Sequence, residues 1–150
     1  MSTRALGIDL GSKRIGVALS ASTLATPYEV VQRSGDKARD HRRIGELVDE
    51  AGATVVVVGL PLSLDGSVGP AAQRALDEIE VLASALDVPV ETWDERLSTV
   101  TAEQSLREQN LKGPARRKVV DMVAASVILQ GWLDAQQEQV RAASPDMENS

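Results

Sequence analysis

Three carboxylates carry the chemical interest of this sequence. Asp9 stands in "LGIDLGS" between Gly7 and Gly11, whose missing side chains leave room beside it for another backbone or a ligand. Glu95 closes the strand-like "VETWDER", on the same side as Glu91 and Trp93, with Asp94 turned the other way. Asp121 interrupts the apolar stretch "KVVDMVAASVILQGWL", where an ionised carboxylate needs a cation, hydrogen-bond donors or an exit to water. Carboxylates that converge repel one another unless protonated or neutralised, and an all-oxygen ligand set is what Mg²⁺ or Mn²⁺ prefers. One or two such ions activate an attacking water and stabilise the leaving oxygen of a phosphodiester, with no nucleophilic side chain required. The chain has no cysteine, and its one histidine, His41, lies in a charged helix with no partner evident, so neither a histidine-based triad nor a zinc site is expected. Each acid also has a plainer reading. Asp9 suits a turn before "GSKR", Glu95 an exposed strand end, and Asp121 a salt bridge to Arg117 or Lys118 one turn back.

The elements that must position these residues follow from periodicity. "RALGIDL" (4–10) and "IGVALS" (15–20) alternate with period two, and "YEVVQR" (28–33) after Pro27 completes a three-stranded antiparallel meander. A helix spans 36–50. The unbroken valines of "TVVVVGL" then mark a central strand covered on both faces. The turn-rich loop "PLSLDGSVGP" follows, offering backbone amides to a phosphate or else forming a tight structural connection. A helix through "AAQRALDEIEVLASAL" leads to the short strand "VPVETW". Thr101 and Gln104 fit a capping box, and Gly113-Pro114 separates the helix they start from the one carrying Asp121. Three antiparallel strands followed by alternating helix and parallel strand give a mixed five-stranded sheet with helices on both faces, the layout of an RNase H-like domain. The expected domain covers 1–138, and 139–150 is a polar tail expected to be disordered.

A chain of 150 residues with 43% hydrophobic content is the size of one domain and can bury a core without disulfides. It shows no bilayer-spanning run and no signal-peptide pattern, so a cytoplasmic protein with no membrane partner is expected. The net charge of -6 argues mildly against nucleic-acid binding over the whole surface. Local bases remain. "RSGDKARDHRR" (33–43) reads as a solvated helix face, whereas "KGPARRK" (112–118) contains no acid and leads straight into the Asp121 helix.

"GIDLGSKRIGVALS", "VVVVGLPLSLDGSVG", "WDERLST" and "VVDMVAASVILQGWL", in this order and spacing, resemble the YqgF/RuvX family over residues 4–133. The resemblance implies an RNase H-like fold and a nuclease, described for the family both as a Holliday junction resolvase and as the enzyme maturing the 5′ end of 16S rRNA. The family's acidic triad falls on Asp9, Glu95 and Asp121, which would be at once catalytic residues and ligands of Mg²⁺ or Mn²⁺. Two positions depart from the family pattern: Ala21, where an aspartate is frequent, and Ser63, where an asparagine is frequent. Neither touches the triad. "GIDLGS" also resembles the phosphate-binding hairpin of actin-like ATPases and sugar kinases, but those need two such lobes, and the stretch misses the G-x-x-x-x-G-K pattern by one residue.

The expected phosphate contacts are Lys13 and Arg14 in the first turn, Arg96 beside Glu95, and Lys112, Arg116, Arg117 and Lys118, although any one of them also suits a solvated surface. The expected partner is structured RNA, with a pre-ribosomal particle presenting it. Two alternatives stand beside it: branched DNA cut by a dimer, and a non-catalytic module that binds RNA or the ribosome. A monomer or weak homodimer is expected, because no interface is legible in the sequence.

Overall fold

The structure, a computed structural model, describes residues 4–97 and 113–143; within the last helix, side chains are described for 121–142. Strands β1 (Ala5–Leu10), β2 (Arg14–Ala21) and β3 (Leu24–Gln32) form the antiparallel meander, followed by α1 (Lys37–Ala51), β4 (Val55–Leu60), α2 (Pro70–Ala85) and β5 (Val90–Asp94). A short 3₁₀ turn covers Glu95–Leu97, and the long helix α3 covers Gly113–Ala143. The five strands form one sheet in the order β3-β2-β1-β4-β5, with β4 parallel to both β1 and β5. The expected mixed sheet is therefore the observed one.

The valine run shows how a short sequence sets a layer. Val56 and Val58 are fully buried against Ile44, Leu47, Ile79 and Leu82 of α1 and α2, while Val55 and Val57 pack on the other side against Ala125, Ile128 and Leu129 of α3. Each side chain of this kind contributes on the order of 1.5–3 kcal/mol when taken from water. Both faces of β4 are consumed in this way, so α3 is fixed against the sheet on the same side as Asp9.

Two boundaries differ from expectation. β3 begins at Leu24 and contains Pro27, which an edge strand tolerates because its missing N–H costs no ladder bond on the solvent side. The pairing with β2 shifts register between Val17 and Ala18, where Ala18 meets Pro27. α3 continues to Ala143, so residues 139–143 are helical: Glu138 and Arg141 are good helix formers, and their polarity marks exposure rather than the helix end. The remainder of the expected tail and the helix expected after Thr101 lie outside the described residues.

Candidate active site

β1, β4 and β5 run parallel and end at one edge of the sheet. Asp9 stands near the end of β1, and Glu95 stands one residue past β5, as the first residue of the 3₁₀ turn. Gly59 of β4 lies between them. A Cβ there would sit 2.9 Å from Glu95 Cγ and 3.0 Å from its Oε1, so the missing side chain is what admits Glu95 to the strand and brings it to Asp9. The two carboxyl groups share a hydrogen bond. Burial above all, then repulsion from Glu95 and Asp121 and the hydrogen bond it donates to Glu95, pushes Asp9 up to about 7 from the usual 3.8. Glu95 is also raised, by burial first, with the Asp9 hydrogen bond partly offsetting it and Asp94 adding repulsion. Two hydrogen-bonded acids, both raised by burial, mark a place where a cation would relieve the cost of their charge.

Asp121 reaches the same end of the sheet from α3. Its helix lies so close to β2 that a Cβ at Gly16 would overlap the Asp121 carbonyl oxygen, and Gly16 is the cross-strand neighbour of Asp9. The partner that the sequence reading sought one turn back on the helix comes from β2: Arg14 Nε donates to Asp121 Oδ2 at 2.6 Å, with the two side chains 21% and 15% exposed. Among the described residues, no three acidic or histidine side chains form a ready-made metal shell. Asp9 and Glu95 fit an ion by their hydrogen-bonded approach, and Asp121 fits by its position, while its ligation would compete with Arg14.

The other expected phosphate contacts are placed unequally. Lys13 is exposed in the turn after β1. Arg96 directs Nε and Nη2 to Asp94, at 2.9 Å and 2.6 Å from its Oδ2, and Nη1 to the Leu64 carbonyl at 3.2 Å, so it ties the β4–α2 loop to the end of β5. Lys112 and the side chains of Arg116, Arg117 and Lys118 lie outside the described residues. The loop after β4 spends its amides internally: Leu62 N–H donates to Leu60, Ser63 to Ser67, Gly66 to Ser63 and Ser67 to Asp65. It is a tight structural connection at those four positions.

A polar cluster that the sequence reading missed lies under the first turn. Arg33 Nε donates to the Gly11 carbonyl at 2.7 Å, and both Nη groups reach Glu78 at 2.8 and 2.9 Å. His41 Nε2 pairs with the same carboxylate at 2.9 Å, which corrects the view of His41 as a partnerless residue on a charged helix. The helical period places His41 on the core face of α1 beside Ile44, Leu47 and Val48, whereas Arg39 and Arg42 are the solvated face that was expected. The signal was present in the sequence. A histidine in register with apolar positions, and an acid, Glu78, next to Ile79 in α2, both fall on buried stripes.

A five-stranded mixed sheet flanked on both faces, with two acids at its parallel carboxyl edge and a third on the helix packed across it, defines an RNase H-like protein. The family model described as "RuvX: Holliday junction resolvase" matches residues 3–135, and the chain belongs to that family. A relative from Mycobacterium sp. (strain KMS), named "Putative pre-16S rRNA nuclease", is 48% identical over 145 residues, covering 95% of this chain and 85% of that protein. A relative of the same name from Myxococcus xanthus (strain DK1622) is 47% identical over 134 residues, or 88% of each chain. Among solved structures, "T. thermophilus RuvC in complex with Holliday junction substrate" aligns with a TM-score of 0.56 over 90% of this chain and 96% of that one, at 19% identity, a likeness of fold.

Proposed function

We infer that this protein is a nuclease that hydrolyses nucleic-acid phosphodiesters with Mg²⁺ or Mn²⁺, and that its substrate is the 5′ region of precursor 16S rRNA. The observation that carries the reading is the approach of Asp9 and Glu95, two half-buried carboxyl groups joined by a hydrogen bond beside Gly59 at the carboxyl edge of an RNase H-like sheet. Asp9 and Glu95 would hold the ion, with Asp121 as the third ligand. The ion supplies activation of the attacking water and charge neutralisation at the leaving oxygen. The chain supplies the rest: α3 holds Asp121 against Gly16, Gly59 admits Glu95, and Arg33 pins the turn that follows Asp9. Family membership and the names of the relatives support a nuclease. The RNA assignment rests on those names and on the acidic charge of -6. We place the protein in the cytoplasm, as a monomer or weak homodimer; among the described residues no helix is long and apolar enough to cross a membrane.

The test is cleavage of a precursor rRNA fragment and of a four-way DNA junction with Mg²⁺ or Mn²⁺, comparing the wild type with Asp9→Asn and Asp121→Asn. Loss of cutting in both variants is expected. Equal cutting by all three proteins ends the site assignment, and cutting of the junction alone transfers the reading to DNA. A non-catalytic binding module would cut neither substrate and would show no thermal stabilisation by Mn²⁺.

A further inference from the structure

Of the cations that sequence reading assigned to substrate, the described ones, Lys13, Arg14 and Arg96, do not line the groove at the sheet edge, yet that groove is not without positive charge. It encloses about 440 Å³ and runs from Asp9 and Glu95 past the turn after β1 to the faces of α1 and α2, where Lys37 and Arg74 line it. Arg14 and Arg96 are committed to Asp121 and Asp94. Arg33, which also lines the groove, spends its charge on Glu78, whose two oxygens are both occupied by Arg33 and His41. Lys37 and Arg74 differ. Both are exposed, and neither forms an ion pair with a described residue. The remaining acid of that wall, Asp77, accepts a hydrogen bond from Gln73 at 2.9 Å, on the helix that carries Arg74.

The geometry points to Lys37 and Arg74 as a phosphate-binding subsite, holding the backbone of the nucleic-acid strand where it leaves the Asp9 and Glu95 pair along α1 and α2. This rests on the nuclease reading and adds the direction in which the strand runs. A long, flexible cation at the first position of α1 and another on the second turn of α2 flank the groove from two elements. Phosphate oxygens carry the fixed charge of any strand, so these contacts position the substrate without reading its bases. They are also salt-sensitive, because each neutralised phosphate releases counterions. The two side chains would therefore act on binding and leave the bond-breaking step to the carboxylates.

The experiment measures binding of the same RNA and junction by fluorescence anisotropy, with Mg²⁺ present, in an Asp9→Asn background that does not cut. Salt titrations compare that parent with the Lys37→Gln/Arg74→Gln double variant, the charge-keeping Lys37→Arg/Arg74→Lys pair, and Arg42→Gln, an exposed arginine outside the groove. The expected result is about tenfold or greater loss of affinity in the Gln pair, with a salt slope shallower by roughly 1.4–1.8, since two phosphate contacts contribute about 0.7–0.9 each. The charge-keeping pair should recover most of the binding, and Arg42→Gln should follow the parent. If the parent binds with a steep salt dependence and the Gln pair matches it in affinity and slope, the subsite is wrong and the nuclease reading stands. If the parent binds neither RNA nor junction, the nuclease reading itself fails, and the subsite with it.

Discussion

Arg14 Nε lies 2.6 Å from Asp121 Oδ2, joining the start of β2 to a helix that begins almost a hundred residues later in the chain. This contact answers how a carboxylate is tolerated in an apolar helix. It also places a positive charge against the third member of the acidic set, so it both steadies Asp121 and opposes the entry of a cation. Removing one partner leaves the other mostly buried and unpaired, and Arg14→Gln should cost about 1–3 kcal/mol in metal-free buffer. A double-mutant cycle with Asp121→Asn should return a coupling of about 0.5–3 kcal/mol, and additive costs would show that the pair contributes nothing.

The raised Asp9 predicts a pH dependence of stability whose sign is opposite to that of an ordinary ion-paired acid. A folded value of about 7 against 3.8 means that the native state holds the proton more tightly than the unfolded chain. The associated stability is fully present below the unfolded value and is lost as pH rises through the folded one. At about 1.4 kcal/mol per pH unit the loss has a ceiling near 4 kcal/mol. Glu78, lowered in the fold despite its burial because Arg33 and His41 bond to it, acts in the opposite sense, and its share disappears only as pH falls below the usual glutamate range. Between about pH 5 and 8, in chelator, the wild type should lose several degrees of Tm that Asp9→Asn does not lose, at roughly 2–4 °C per kcal/mol. Parallel curves for the two proteins would show that Asp9 does not carry the proton.

Where charge and periodicity act locally, the sequence was a good guide. The valine run announced a strand covered on both faces, and Asp36 caps α1 at the expected start by accepting from the N–H groups of Ala38 and Arg39. Composition has no access to partners distant in sequence. The carboxylates that face Arg14 and Arg96 were hidden from it, because a cation near a candidate site is read the same way whether water or a carboxylate faces it. The partners of Asp121 and His41 come from other elements, and only the folded sheet brings them together. Gly16 and Gly59 were passed over because a glycine in a strand signals close approach without naming what approaches.

Gly59 gives that point a direct test. Its added Cβ would crowd Glu95 Cγ and Oε1 at 2.9 and 3.0 Å and would overlap Ile128 Cδ1, so Gly59→Ala must displace the side chains of Glu95 and Ile128 from their places beside the strand. Overpacking of this kind costs about 1–3 kcal/mol, a modest part of a domain's stability. The expected variant is therefore folded at room temperature and strongly impaired in cleavage. An Ala variant that cuts at the wild-type rate would mean that Glu95 does not need its place beside β4.

The last prediction concerns the cluster beneath the turn. Glu78, 8% exposed, is the only carboxylate described between Arg33 and His41, and through Arg33 it reaches the Gly11 carbonyl two residues from Asp9. Glu78→Gln keeps the shape of the side chain and removes the charge, leaving a mostly buried guanidinium uncompensated. Breaking a buried pair in this way costs about 3–5 kcal/mol, and partial exposure of Arg33 places the expectation near the lower end. Chemical denaturation should show that loss with an unchanged m-value, because the same surface is still exposed on unfolding. Replacing Arg33 and Glu78 together by Met and Leu should recover a substantial part of it, since the stranded charge is then absent. If the double replacement is as unstable as Glu78→Gln plus the single Arg33 change, packing rather than charge pairing holds this corner of the fold.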